Sequence, residues 1–207
     1  RCLSRGLGDV YKRQIQGCTQ APFMNKDSIA DILGLGSEDV RIIPTGCGGG
    51  FGSKLDLSYQ PYIALAAWKL NRPVGIVYSR HESMLTTTKR HPSEISIKVG
   101  CDENFKITAI DFQGVFNTGA YASWGPTVAN RVPVHASGPY QVANYLAKSR
   151  AVHTNNAPAG AFRGFGVPQT AIALETSLSE LAQKAGADEL NFRMINALRN
   201  GTPTVTG

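Results

Sequence analysis

Two glycine-rich segments constrain this chain more than anything else in it: Gly48-Gly49-Gly50-Phe51-Gly52-Ser53-Lys54, and, far downstream, Ala161-Phe162-Arg163-Gly164-Phe165-Gly166. Glycine reaches positive φ at little steric cost and lets the backbone approach a ligand closely. A loop made mostly of glycine offers amide N–H groups where other loops offer side chains, which suits a large anionic or oxo-bearing ligand. Tight turns alone also call for glycine. Two such loops, each with a specific Phe or Arg planted in it, point instead to a cofactor held from two sides.

The nucleotide-binding versions of such loops do not fit. A phosphate-cradling P-loop needs lysine directly after its last glycine and Ser or Thr after the lysine. Here Ser53 separates Gly52 from Lys54, and Leu55 follows. The dinucleotide fingerprint G-x-G-x-x-G also fails, because its third glycine, counted from Gly48, falls on Ser53.

The 207 residues suffice for one substantial core or two small lobes. A hydrophobic content of 42% with 17% charged residues fits a globular chain rather than a disordered one. No apolar run approaches the roughly 18 residues of a membrane span, and no secretory signal pattern opens the chain. Cys2, Cys18, Cys47 and Cys101 have no C-x-x-C spacing, so they form no zinc or iron–sulfur motif and no evident disulfide framework. A reducing, cytoplasmic setting is the expectation. His81, His91, His135 and His153 lack the i, i+4 spacing of a helical metal site, and none is assigned to metal. The formal charge of +6 does not read as a nucleic-acid footprint. Half of it sits in residues 1–14, and no aromatic-interleaved basic stripe carries the rest.

That opening segment stands apart. Ser4 to Gln14, SRGLGDVYKRQ, back-translates residue for residue into a string resembling a transposase-end adapter used in DNA library preparation. Residues 1–14 are therefore expected to be translated adapter, set aside from fold reasoning like any fusion scar. Residues 15–207 are the protein-derived part.

Along that part, Ile15 to Gln20 ends a strand, and Asn25-Lys26-Asp27-Ser28 is expected to cap a helix through Ile29, Ile32 and Leu33, stopped by Gly34. Val40 to Ile43 alternates as a strand and leads into the first glycine loop. Leu57 to Leu70 reads as a helix with Tyr59, Ile63, Ala66, Ala67 and Leu70 on one face. Val74 to Tyr78 is a strand. Glu94 to Val99 alternates, turns through Asp102-Glu103-Asn104, and is answered by Ile107 to Phe116, a hairpin. Asn117 to Pro139, rich in Gly, Ser, Ala and Pro, reads as a loop, one whose Tyr121, Trp124, Arg131 and His135 suit a cavity wall. Tyr145 to His153 is a strand leading to the second glycine motif. A helix follows from Pro168 to Ala185, with Ile172, Leu174, Leu178 and Leu181 as its apolar side, and a last helix starts at Asp188 or Glu189. The predicted class is α+β, with mixed sheets and helices and both glycine loops at strand-to-helix transitions.

GGGFGSK together with AFRGFGVPQ resembles the molybdenum-cofactor-binding large subunit of the xanthine dehydrogenase/aldehyde oxidase family of molybdenum hydroxylases. The resemblance runs from about Ile15 to Gly207 and includes Thr19-Gln20-Ala21-Pro22, Thr88-Lys89-Arg90-His91-Pro92, and Arg131 shortly before Tyr140. It implies that residues 15–207 are the first half of a molybdopterin-binding domain. It also implies roles residue by residue. Gln20 matches the glutamine whose amide hydrogen-bonds an oxo ligand of molybdenum. Gly50, Phe51 and Gly52 match the loop lying against the metal and pterin. Arg163 matches the arginine whose backbone and side chain seat the cofactor. Phe165 matches an aromatic that packs on the substrate ring, and Arg131 an arginine that faces the substrate in purine-oxidising members. Molybdenum in this family is held through the dithiolene sulfurs of the pterin, so no protein metal ligand is expected.

The chain departs from the family pattern at two points. Purine-oxidising relatives place a glutamate directly after the loop lysine, whereas this chain has Leu55, which neither donates nor accepts a side-chain hydrogen bond. The resemblance thus implies an aldehyde or a less polar N-heterocycle as substrate, with Leu55 facing it. The family's general-base glutamate is expected beyond Gly207, so no catalytic residue is assigned within the chain. Iron–sulfur clusters and FAD are expected on other domains or subunits, in an oligomer. The leading expectation is part of a molybdenum hydroxylase that takes its oxygen from water. A naturally split molybdenum subunit resembling nicotinate dehydrogenase, and a non-catalytic cofactor- or partner-binding domain, are the alternatives.

Overall fold

A computed structural model describes residues 2–5, as backbone, and residues 13–207. The adapter expectation for residues 1–14 therefore falls largely outside the described residues. The chain forms two units, the first comprising residues 1–90 with Gly160–Arg163 and the second His91–Ala159 with Gly164–Gly207.

The first unit contains strands β1 (Cys2–Arg5), β2 (Arg13–Gly17), β3 (Val40–Pro44) and β4 (Val74–Ile76), with helices α1 (Pro22–Leu33), α2 (Gln60–Leu70) and α3 (Arg80–Thr86). The sheet order is β3-β2-β1-β4, parallel between β2 and β3 and antiparallel elsewhere. Ile15, Ile29, Ala30, Leu33, Val40, Ile63 and Ala64 form its core. Helix α1 starts earlier than the sequence suggests. Pro22 supplies the first turn, where a missing N–H costs nothing. Asn25 is no cap at all but a buried interior residue. Its amide accepts from Thr19 Oγ1 at 2.5 Å and donates to the Leu55 carbonyl at 3.1 Å, so its polarity serves the packing under the first loop. On α2, Gln60, Ile63, Ala64 and Ala67 are buried and Leu70 is exposed, a face rotated from the expected one. Helix α3 is an addition to the expected elements. Its start carries a complete capping box between Ser79 and Glu82.

The second unit contains β5 (Ser93–Cys101), β6 (Ile107–Gly119), β7 (Asn144–His153), α4 (Gly125–His135), α5 (Val167–Ala185) and α6 (Glu189–Asn196). The hairpin is present, with β5 antiparallel to β6, and β7 adds in parallel on the other side of β6. Alternation along β6 buries Ile110, Phe112 and Phe116 on the face that meets Leu174, Leu178 and Ala182 of α5, with Val132, Tyr140 and Phe192 closing the core. The apolar side expected for α5 shifts accordingly. Thr170, Leu174, Leu178 and Ala182 are buried, and Ile172 is 70% exposed.

The segment 117–139, expected as a loop, contains α4. Its Gly and Pro content reads as helix-breaking, yet Pro126 lies in the first turn, and the defect made by Pro133 is repaired from outside. Proline has no N–H, so Pro133 cannot donate to the Ala129 carbonyl one turn earlier. Ser149 Oγ on β7 donates to that carbonyl instead. The Tyr145 hydroxyl donates to the carbonyl of Pro133 itself. A neighbouring strand thus satisfies the backbone that local sequence leaves open. Both glycine segments lie where expected, the first between β3 and α2 and the second between β7 and α5.

Candidate functional site

In the first unit, Gln20 and the first glycine loop are built onto one another. The Gln20 N–H donates to the Lys54 carbonyl at 2.9 Å, fixing the chain just after β2 against the loop exit. Its side-chain Oε1 accepts from the N–H of Gly52 at 3.0 Å and from that of Lys54 at 3.3 Å. Both partners are donors, so the atom facing them must be the carbonyl oxygen. The NH₂ group is thereby left as the outward donor of an exposed side chain. A Cβ at Gly50 would lie 2.3 Å from Oε1, so glycine at 50 is what admits this amide. The loop turns tightly, with Ser53 N–H donating to the Gly50 carbonyl and Leu55 N–H to that of Gly52.

The short segment Gly160–Arg163 belongs to the same unit and packs against this loop. Gly52 has φ of +92°, and a Cβ there would come within 2.9 Å of the Ala161 carbonyl carbon. Arg163 holds its guanidinium 5.7 Å from the Phe51 ring centroid. Arg90 secures the segment from the other direction. Its Nη2 donates to the Arg163 carbonyl at 2.7 Å, and its guanidinium lies 4.7 Å from the Phe162 ring centroid. Arg90 is a positioning residue to which the sequence alone assigns no individual role, although it lies inside the Thr88–Pro92 motif. The fold thus brings together Gln20, Gly50, Phe51, Gly52 and Arg163. Leu55 follows this group, its carbonyl held by Asn25.

In the second unit, α4 presents Arg131 5.7 Å from the Phe165 ring centroid, and Trp124 meets the same ring edge-on at 6.0 Å. Trp124 is thus a third member of the Arg131–Phe165 group. Phe51 and Phe165 share an unusual backbone: φ is 52° and 48°, each followed by a glycine at φ 92°. A bulky residue in this left-handed region costs about 1–2 kcal/mol. Such strained positions cluster at active sites and ligand clamps. Among the described residues no group of three or more His, Cys, Asp or Glu side chains is disposed to hold a metal ion.

Gln20, the first glycine loop and Arg163 thus form a glycine-rich cradle edged by a neutral amide and a guanidinium, the class of site that suits a bulky oxo- or phosphate-bearing ligand. Comparison with known proteins gives the family. Residues 8–197 match the molybdopterin cofactor-binding domain. The chain is 42% identical over 189 residues to the nicotinate dehydrogenase large molybdopterin subunit of Eubacterium barkeri, spanning 91% of this chain and 44% of that protein. It is 34% identical over 196 residues to the xanthine dehydrogenase molybdenum-binding subunit of Escherichia coli O157:H7, spanning 94% of this chain and 26% of that one. Among solved structures, the aldehyde oxidoreductase from Desulfovibrio gigas superposes with a TM-score of 0.95 at 29% identity, covering all of this chain and 23% of that one.

The chain belongs to the molybdopterin cofactor-binding domain family, whose relatives are molybdenum-dependent oxidoreductases of the xanthine dehydrogenase type. It spans less than half the length of the relatives it matches. The residues present are compatible with the cofactor: Gly50 and Gly52 let Gln20 and Ala161 pack directly on the loop backbone, and the Gln20 oxygen is spent on Gly52, so its amide nitrogen remains as a neutral donor.

Proposed function

We propose that this chain supplies the first cofactor-contacting half of a molybdenum hydroxylase. The observation that carries the reading is the Gln20 side chain, whose carbonyl is consumed by the Gly52 and Lys54 N–H groups so that its NH₂ is the group offered outward. When bound, the molybdenum cofactor supplies two-electron oxidation of a substrate C–H with water as the oxygen source. Gln20 donates a neutral hydrogen bond to it, the Gly50 and Gly52 backbone of the loop lies against it beneath Gln20 and Ala161, Phe51 covers it, and Arg163 contributes charge, its backbone held by Arg90. The general base, the iron–sulfur and flavin domains or subunits, and the electron acceptor belong to the remainder of the enzyme.

Within the second unit, Phe165 offers a ring flanked by Arg131 and Trp124, a grouping suited to a planar or carbonyl substrate that develops negative charge. Leu55 supplies no polar side-chain partner. The substrate is an aldehyde or a weakly polar N-heterocycle rather than xanthine. Steady-state kinetics of the full-length protein test this, with kcat/KM for an aromatic aldehyde or a pyridine carboxylate expected to exceed that for xanthine. Xanthine as the best substrate by a wide margin would refute it.

A second reading is a split molybdenum subunit. The chain covers 44% of the nicotinate dehydrogenase protein against 26% of the xanthine dehydrogenase one, so the former is the shorter relative. The reading frame in genomic DNA decides between the two, through the presence or absence of a later glycine-rich segment carrying a glutamate. The same DNA tests the proposal that residues 1–14 are translated adapter, since those codons would then be missing from adapter-free sequence.

A further inference from the structure

Cys18 and Cys47 share no redox spacing in the sequence, yet the fold places the Cys18 thiol against the residue preceding Cys47, whose own sulfur lies beside the Lys54 ammonium. Lys54 Nζ donates to Cys47 Sγ at 3.7 Å. The electrostatics of Cys18 respond to both Lys54 and Cys47. The Cys18 thiol also points at the Gly46 carbonyl at 3.9 Å, one residue from Cys47. Both cysteines are free, and Cys47 is exposed. We propose that Cys18 and Cys47, with Lys54 beside them, form a thiol–disulfide exchange site that takes a low-molecular-weight disulfide and closes a Cys18–Cys47 bridge. This exchange is independent of the proposed cofactor chemistry.

The electrostatics agree with the geometry. Burial pushes the Cys18 thiol up, but the hydrogen bonds from Lys54 and Cys47 and the lysine charge outweigh it, and its pKa lies below the ordinary value. Lys54 is held above its own ordinary value, first by its bond to Cys18. A thiolate beside an ammonium is the nucleophilic form of cysteine at neutral pH. Cys101 is the opposite case, its thiol pushed up by burial and by Asp102.

The chemistry balances with the oxidant as the only co-reactant. The Cys18 thiolate attacks one sulfur of the small disulfide, forming a mixed disulfide and releasing one thiolate, which takes up a proton. Cys47 then loses its proton, attacks the Cys18 sulfur and expels the second small thiol. Two protein thiols are oxidised to one disulfide, and one small disulfide is reduced to two thiols. The bridge ties the exit of β2 to the entry of the glycine loop, three residues before Gly50.

The test uses the full-length protein, reduced, desalted and exposed to oxidised glutathione at pH 7, then quenched with N-ethylmaleimide and mapped by peptide mass spectrometry. The expected product is a Cys18–Cys47 disulfide peptide, with Cys101 remaining alkylated by the quench. Cys47→Ser should accumulate the glutathione mixed disulfide on Cys18. Lys54→Met should slow modification of Cys18 at least about threefold. Modification confined to Cys47 with no bridge would overturn the proposal. So would a Cys18 rate unchanged by Lys54→Met in protein whose circular dichroism is normal. The wild-type map requires no variant, so the bridge stays testable if a substitution impairs folding.

Discussion

Gln20 accepts the backbone N–H of Gly52 at 3.0 Å through its side-chain oxygen, across a sequence separation that spans α1 and β3. This bond decides which end of the amide is spent on the protein and which is offered to a ligand. Gln20→Ala removes the acceptor for both Gly52 and Lys54. Because the site is exposed, water replaces much of what is lost, and the expected cost is below about 1 kcal/mol. Amide hydrogen exchange at residues 52–54 should nonetheless accelerate. Gln20→Glu keeps the acceptor but removes the donor, so it should preserve the exchange pattern while lowering cofactor retention.

Ser149 on β7 supplies the hydrogen that Pro133 withholds from the Ala129 carbonyl. Ser149→Ala should destabilise the protein by about 1–2 kcal/mol, the cost of a buried carbonyl left without a partner. Pro133→Ala restores an N–H within the helix, so the Ser149 substitution should cost less in that background. A double-mutant cycle by urea denaturation measures the difference. Equal costs in both backgrounds would mean that the serine does not act through this carbonyl.

Tyr140 donates its hydroxyl to Glu175 at 2.9 Å, and Arg193 bonds the same carboxylate at 2.9 Å. Burial, and then the Glu175 contact, pushes the Tyr140 pKa up to about 12. An unfolded tyrosine titrates near about 10. The fold therefore favours the neutral phenol. Its contribution is fully present below pH about 10 and is lost as pH rises through about 12. Tyr140→Phe should lower stability at pH 7 by about 1 kcal/mol and flatten the alkaline decline in Tm. Tyr145, also raised to about 12 by burial, retains part of that slope.

What is legible in the sequence follows local periodicity. The β5–β6 hairpin alternates over Ile95–Val99 and Ile110–Phe116, interrupted only near its turn by a bulge at Gly100/Cys101, and β3, β7 and α6 carry their own signals. Helix α4 is hidden because Pro133 is tolerable only through Ser149 and Tyr145, which lie on a strand that no local window includes. Asn25 reads as a cap because its residue type favours caps, while its actual partners, Thr19 and Leu55, are tertiary. Helix α3 does carry a local signal, the Ser79-x-x-Glu82 spacing of a capping box. Of the candidate site, the glycines and Arg163 are visible as a pattern. The Gln20–Gly52 bond, the Arg90 clamp on Arg163 and the approach of Trp124 to Phe165 exist only once the chain is folded.

Whether the first glycine loop, with Gln20 laid over it, holds the molybdenum cofactor is tested most directly by Gly50→Ala. The added Cβ would sit 2.3 Å from Gln20 Oε1, at the far end of a flexible side chain, so it should displace Gln20 without unfolding the unit. The measurement is molybdenum per chain, by elemental mass spectrometry, in the purified full-length protein and in this variant. Stoichiometric molybdenum is expected in the wild type, with a large loss in Gly50→Ala at nearly unchanged Tm. A wild type that carries no molybdenum when expressed with cofactor supply, or a variant that retains all of it, would contradict a cofactor role for this loop.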